Sequence, residues 1–241
     1  MRTGSLGAGG RFLLGAGGAS AVVLAPIRPA GTPAIVVIPV MMVAGALAGG
    51  LWGFIPGILR ARLGVNEIIV TLMLNYVALA WVQYWVFGPW SNGGFQETVA
   101  FPPEAWLPRL TDFSASITIL GGLTTHLGLI FGVVAATIMW VALKRTRWGY
   151  ELRLIGDSPA AARYAGIDIK RKIVVVFVIS GALAGLGGMS EVGVVVHTLQ
   201  AHISTGYGFP AFIIAYPARF GPLRTTPPRI PVGAPLHPAP H

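Results

Sequence analysis

The chain has 241 residues, 54% of them apolar and only 10% charged, with a net charge of +9 and no cysteine. Soluble domains carry roughly 25% charged residues, so a chain this poor in charge cannot cover a water-facing surface and reads as an integral membrane protein. The missing cysteine excludes disulfides and thiolate chemistry. The basic residues lie between apolar runs rather than on an aromatic-rich soluble face, which excludes a nucleic-acid binder.

In chain order, residues 12–27 form a short apolar run. An "ASA" triplet inside it fits a signal peptide, but "APIRPAGTP" and another apolar run follow, which favours a short or partial membrane segment. Runs without Asp, Glu, Lys or Arg then cover 29–59, 68–96, 113–143, 173–190 and 192–218. A helix needs about 20 apolar residues to cross a bilayer core. The first three runs are long enough, and 173–190 gains length by continuing past Glu191 through "VGVVV". The last is broken by Gly206, Gly208, Pro210 and Pro217, so it reads as kinked or re-entrant. Residues 222–241 are proline-rich and are expected to be disordered. The expected fold is an all-α integral membrane bundle of about five apolar segments.

Within the first long run, Gly45, Gly49, Gly53 and Gly57 recur every four residues; Gly181 and Gly185 repeat the pattern later. Small residues on one helix face let backbones approach closely in lipid. Such a ridge serves packing within one subunit or an interface between subunits.

Orientation follows from lysine and arginine. With Arg60 and Arg62 in the cytosol and one crossing per run, 15 of the 17 basic residues fall inside, Arg2 and Arg11 among them; only Arg28 and Arg109 fall outside. The 144–172 loop is then cytosolic. The 89–116 loop is external, with Trp90 and Trp106 as candidate interfacial anchors.

The helix beginning near Asn66 carries Glu67, Thr71 and Asn75 at spacings of four, with Gln83 beyond. Polar groups in a membrane helix are costly unless they face the bundle interior or a wet path. Two readings stay open. Glu67 pairs with Arg60 or Arg62 while Asn75 bonds a neighbouring helix; or Thr71, Asn75 and Gln83 line a path for a hydroxyl-rich solute. Glu191, His197, Gln200 and His202 lie near the outer end of the next hairpin. They face the path or an external partner, or they are satisfied locally.

The cytosolic loop contains a short helix with a marked start and stop. Ser158 suits an N-cap and Pro159 the first helical position. Ala160, Ala161, Ala162, Arg163, Tyr164 and Ala165 are helix-compatible, and Gly166 suits the left-handed residue that ends a helix. Alone such a helix is marginal, so it is either a connector on the membrane surface or a docking element.

Long motifs carry a family resemblance. "RWGYELRLIGDSPAAARYAGI", the later "SGALAGLGG" and "GYGF", and "ARLGVNEIIVTLMLNYVAL" at 61–79 resemble the permease subunits of bacterial ABC importers for nucleosides and simple sugars. These belong to the branched-chain amino acid/ribose-type permease family, and the nucleoside branch is the nearest. "SLGAGGRFLLGA" (5–16) is similar to that branch's N-terminal motif, with Ser5, Gly9 and Arg11 where the family has Asn, Glu and Gln. The resemblance implies an inner-membrane permease domain over 1–221 that forms the path for a nucleoside or simple sugar. It implies that Ser158–Gly166 is the coupling helix, seated in a cleft of a separate ATP-binding subunit. A second permease subunit, an external substrate-binding lipoprotein and the lipid bilayer complete the expected partners. No cofactor or metal is expected, and no catalytic residue: the chain has no Gly-rich Lys-Ser/Thr phosphate loop and no metal-spaced cluster. The family pattern extends beyond both ends of this chain, which implies truncation and leaves open a non-transporting membrane fragment.

Overall fold

The structure is a computed structural model that describes residues 8–24, 34–95, 97–102, 106 and 127–200. It comprises α1 (Ala8–Leu24), α2 (Ala34–Leu63), α3 (Glu67–Phe87), α4 (Leu127–Arg145), α5 (Arg147–Asp157), α6 (Pro159–Tyr164) and α7 (Ile169–Ser190). A π-helical turn, Glu191–Val196, continues α7. Among the described residues there is no strand, only the isolated bridges Ser91–Thr98 and Glu97–Gln200. The protein is thus an all-α membrane protein. Among the described residues, three stretches are long and apolar enough to span a bilayer: Ile35–Leu63, Glu67–Phe87 and Ile169–Gly193. The expected break at Gly206–Pro217 and the tail 222–241 lie outside the described residues.

The first apolar run forms a helix of 30 residues, about 45 Å at 1.5 Å per residue. Pro39 and Pro56 lie inside it. It ends at Gly64, whose φ of 65° suits a residue without Cβ, and whose N–H reaches the Arg60 carbonyl at 3.2 Å. Asn66 then caps α3, accepting from the Ile68 N–H at 3.0 Å.

α2 and α7 run antiparallel with their backbones in near contact. Gly45 lies by Gly185 and Met189, Gly49 by Gly181 and Gly185, Gly53 by Phe177 and Gly181, and Gly57 by Val174 and Phe177. The two glycine ridges therefore face each other within one chain. α1 packs against α2, α3 and α7. Gly15 approaches Gly185, Gly18 approaches Ala44 and Ala48, and Gly17 faces Val82. The buried side chains gather around this junction, among them Leu13, Ala16, Met41, Val82 and Met189. α4 stands off from α2 and α7 across an apolar cavity of about 340 Å³ lined by Met42, Phe131, Met139 and Leu186.

The outer faces of the long helices stay apolar. Leu47, Leu51 and Phe54 on α2, and Ile69, Met73, Tyr76, Trp81 and Tyr84 on α3, are all exposed. Continuous apolar faces of this extent do not belong in water; hydrocarbon covers them without penalty.

Candidate coupling surface and membrane path

The 144–172 loop is more ordered than its charge suggests. Thr146 caps α5, accepting from the Gly149 N–H at 3.2 Å. Gly149, Leu152 and Ile155 recur at a spacing of three and bury one face, while Arg147, Tyr150, Arg153 and Asp157 stay exposed. Sequence reading saw only charged loop over 147–157. The signal was the Thr146 cap followed by that three-residue period. Arg153 donates to the Leu143 carbonyl at 2.9 Å, fastening α5 to the end of α4.

α6 follows at once, close to its expected bounds. The Ser158 side chain accepts from the Ala161 N–H at 3.3 Å, and Pro159 takes the first helical position. At the other end Gly166 has a φ of 74°. Its N–H donates to the Arg163 carbonyl and that of Ile167 to the Ala162 carbonyl, each at 3.0 Å. This pair of bonds is the Schellman stop, in which a left-handed glycine satisfies the last carbonyls. Ala165 is the C-cap rather than a helical residue.

α6 presents two faces. Ala162 is fully buried, while Pro159, Ala160, Ala161, Arg163, Tyr164, Ala165 and Gly166 are exposed and Ser158 is half-buried. Tyr164 is 93% exposed. Asp168 caps α7 by accepting from the Arg171 N–H at 3.1 Å, and Lys172 on that first turn pairs with Glu151 of α5. The short helix is therefore fixed on both sides, to α5 through Ser158 and to α7 through Ile167 and Asp168.

The polar residues of α3 sit at the same end and just above it. Glu67 pairs with Arg60 at 2.9 Å, joining the two arms of the α2–α3 turn. Thr71 is 3% exposed, and its hydroxyl donates to the carbonyls of Glu67 and Ile68 on its own helix, at 2.7 and 3.1 Å. Asn75 accepts from the Gly10 N–H at 2.8 Å, pinning the start of α1. Gln83 lies two turns further on, half-buried. Asn75 thus faces α1, while Thr71 is buried and bonded to its own helix.

Arg11 departs from the charge count. It is not a solvated inside charge but 1% exposed, the largest fully buried side chain described. The reason is the depth at which α1 begins: Gly10 bonds Asn75 on the third turn of α3, and Arg11 reaches Ser180 at 3.0 Å in the middle of α7.

The opposite end holds the loop that follows α3. The Thr98 N–H donates to the Leu199 carbonyl at 3.0 Å and the Phe101 N–H to the His197 carbonyl at 2.8 Å. Trp106 stacks on the His197 ring at 4.2 Å between centroids. His197 adopts a left-handed φ of 56°, so it ends the π turn and carries the loop. Glu191 opens the π turn and Gln200 bridges Glu97; His202 lies outside the described residues. Among the described residues no group of three or more His, Asp or Glu is placed to hold a metal.

Known proteins extend this picture. The family model for the permease component of the branched-chain amino acid transport system matches residues 1–221. The guanosine ABC transporter permease protein of Bacillus subtilis is 36% identical over 189 residues, 76% of this chain and 51% of that protein. The glucose ABC transporter permease protein of Haloferax volcanii is 34% identical over 227 residues, 92% of this chain and 58% of that one. A nucleoside ABC transporter permease protein of Lactococcus lactis is 35% identical over 163 residues, 65% and 43% respectively. The chain thus spans about half the length of the curated relatives it matches. No solved structure matches it. With its apolar spanning helices and a family match that runs through both the glycine seam and the short capped helix, the chain belongs to the permease component family of the branched-chain amino acid transport system, as a multi-pass membrane protein.

Proposed function

We propose that this chain acts as the membrane-spanning permease subunit of an ATP-driven importer in the bacterial inner membrane, with residues 1–221 as its transmembrane domain and a nucleoside or simple sugar as its substrate. The observation that carries this reading is α6: a two-turn helix, capped at both ends, held by α5 and α7, with one buried alanine and an exposed outer face. An isolated helix of this length is marginal in water. Fixing it between two longer elements suits a rigid lever that passes a push to α7.

In this reading a separate ATP-binding subunit takes the face formed by Ala160, Ala161, Arg163 and Tyr164, and ATP hydrolysis belongs to that subunit. A second permease subunit and an external binding lipoprotein complete the importer. The names of the relatives support the substrate class, since two are described for guanosine or nucleosides and one for glucose. Thr71, Asn75 and Gln83 offer uncharged donors and acceptors to such a solute. Thr71 and Asn75 do so only by exchanging their present bonds to α3 and α1 during the transport cycle.

The test is reconstitution with the ATP-binding subunit and the binding lipoprotein. Arg163→Glu and Tyr164→Ala alter exposed side chains, so stability should move by no more than about 0.5 kcal/mol. Substrate-stimulated ATP hydrolysis is expected to fall by roughly tenfold in either variant, the effect of about 1.4 kcal/mol of lost coupling. Unchanged stimulation in both variants would refute α6 as the contact with the motor. Competition between guanosine and glucose for uptake by the unaltered assembly identifies the substrate class.

A further inference from the structure

α4 carries no charged residue before Lys144; its last turn then holds Lys144 and Arg145, and Arg147 opens α5. All three are exposed. Among the described residues no carboxylate pairs with them: Glu151, the nearest along the chain, is taken by Lys172. Arg153 is spent on the Leu143 carbonyl at 2.9 Å. The Lys144 ammonium stands 5.3 Å from the centre of the Trp140 ring, one turn back along the helix.

The flank that leads to these charges is hydrocarbon. Ile130, Val133, Val134, Ile138 and Val141 are exposed. At about 100° per residue they fall within an arc of roughly 140°, and Lys144 and Arg145 fall within the same arc. The other face of α4, with Ala135 and Met139, lines the apolar cavity towards α7. From Val133 to Lys144 the helix rises about 17 Å at 1.5 Å per residue, close to the ~15 Å of half a bilayer core.

An apolar face of one leaflet's depth that ends in unpaired cations complements one kind of molecule, an amphiphile with hydrocarbon tails and an anionic head. A water-soluble subunit would match the charges but not the flank. We propose that the end of α4 binds an anionic phospholipid. Its phosphodiester lies against Lys144, Arg145 and Arg147, and its acyl chains lie along Val133, Ile138 and Val141. Trp140 supplies an amphipathic ring of the kind that sits at headgroup level. The inference rests on the membrane class alone and is independent of α6 and of the transported solute.

The full chain is reconstituted in phosphatidylcholine vesicles, in which part of the lipid is replaced by phosphatidylglycerol or phosphatidylcholine with brominated acyl chains, which quench nearby indoles. The difference between the unaltered chain and Trp140→Phe isolates quenching at Trp140. Each basic residue near an anionic surface contributes roughly fivefold in affinity, so the expected preference for brominated phosphatidylglycerol is roughly 10- to 100-fold. Lys144→Gln with Arg145→Gln should reduce that preference by roughly tenfold. Lys170→Gln with Arg171→Gln removes the same charge from exposed positions on the first turn of α7 and should leave it unchanged. Circular dichroism confirms that each variant is folded. Equal quenching by the two brominated lipids in the unaltered chain overturns the proposal. So does an equal loss in both double variants, which would mean diffuse attraction to charge. Loss of the preference when the ATP-binding subunit is added would assign these residues to the motor and overturn it as well.

Discussion

One methyl group tests the α2–α7 seam. In Gly49→Ala the new Cβ runs into the Gly181 carbonyl and falls 2.8 Å from the Gly185 Cα and 3.0 Å from its amide nitrogen. Carbon atoms prefer separations of about 3.5–4.0 Å, so the helices must part by roughly 0.7 Å at this level. The obstructing atoms are all backbone, so no rotamer change relieves them. A gap of about 0.5–1 Å forfeits a quarter to a half of the local dispersion energy, and overpacking of this kind costs about 1–3 kcal/mol. Alanine returns about 1 kcal/mol through its higher helix propensity. Gly132→Ala in α4 is the control, because a Cβ there meets nothing within 4 Å. The propensity gain is common to both variants, so their difference is the packing cost. At about 2–4 °C per kcal/mol for a chain of this size, that is about 2–12 °C in Tm. The assay is thermal unfolding in detergent micelles followed by circular dichroism. If Gly49→Ala melts with or above Gly132→Ala, the close approach of α2 and α7 is wrong.

Two further substitutions probe what holds the ends of the bundle. Asn75→Leu removes the acceptor of the Gly10 N–H, made at 2.8 Å; leaving that donor unmet should destabilise the chain by about 1–3 kcal/mol, and an unchanged denaturation midpoint would show that α1 is not anchored there. Asp168→Ala deletes the N-cap of α7, whose carboxylate accepts from Arg171 at 3.1 Å. The loss should be about 0.5–2 kcal/mol, read as faster hydrogen exchange confined to the first turn of α7; exchange at the unaltered rate would remove the cap from the account.

The membrane class, the long apolar helices and the short capped helix were legible in the residue order, because each rests on local chemistry. Apolar length decides spanning, and Ser158, Pro159 and Gly166 decide where α6 starts and stops whatever surrounds them. Glycines every four residues likewise announced close packing, but not its partner. That the ridge at Gly45–Gly57 meets Gly181 and Gly185 in the same chain is a matter of long-range pairing, which only the assembled bundle decides. The same holds for the polar residues of α3. Spacing placed Thr71 and Asn75 on one face, and their partners, a local carbonyl for one and α1 for the other, came from the fold. α5 was hidden by its charge, although the Thr146 cap and the three-residue period of Gly149, Leu152 and Ile155 mark it in the residue order. Arg11 shows the limit most plainly. By sequence it is one more basic residue near an end of a span, and the depth at which α1 begins turns it into a buried cation. Local backbone preferences and solvent partition act over a few residues and can be read from them; the depth and pairing of helices are properties of the whole bundle.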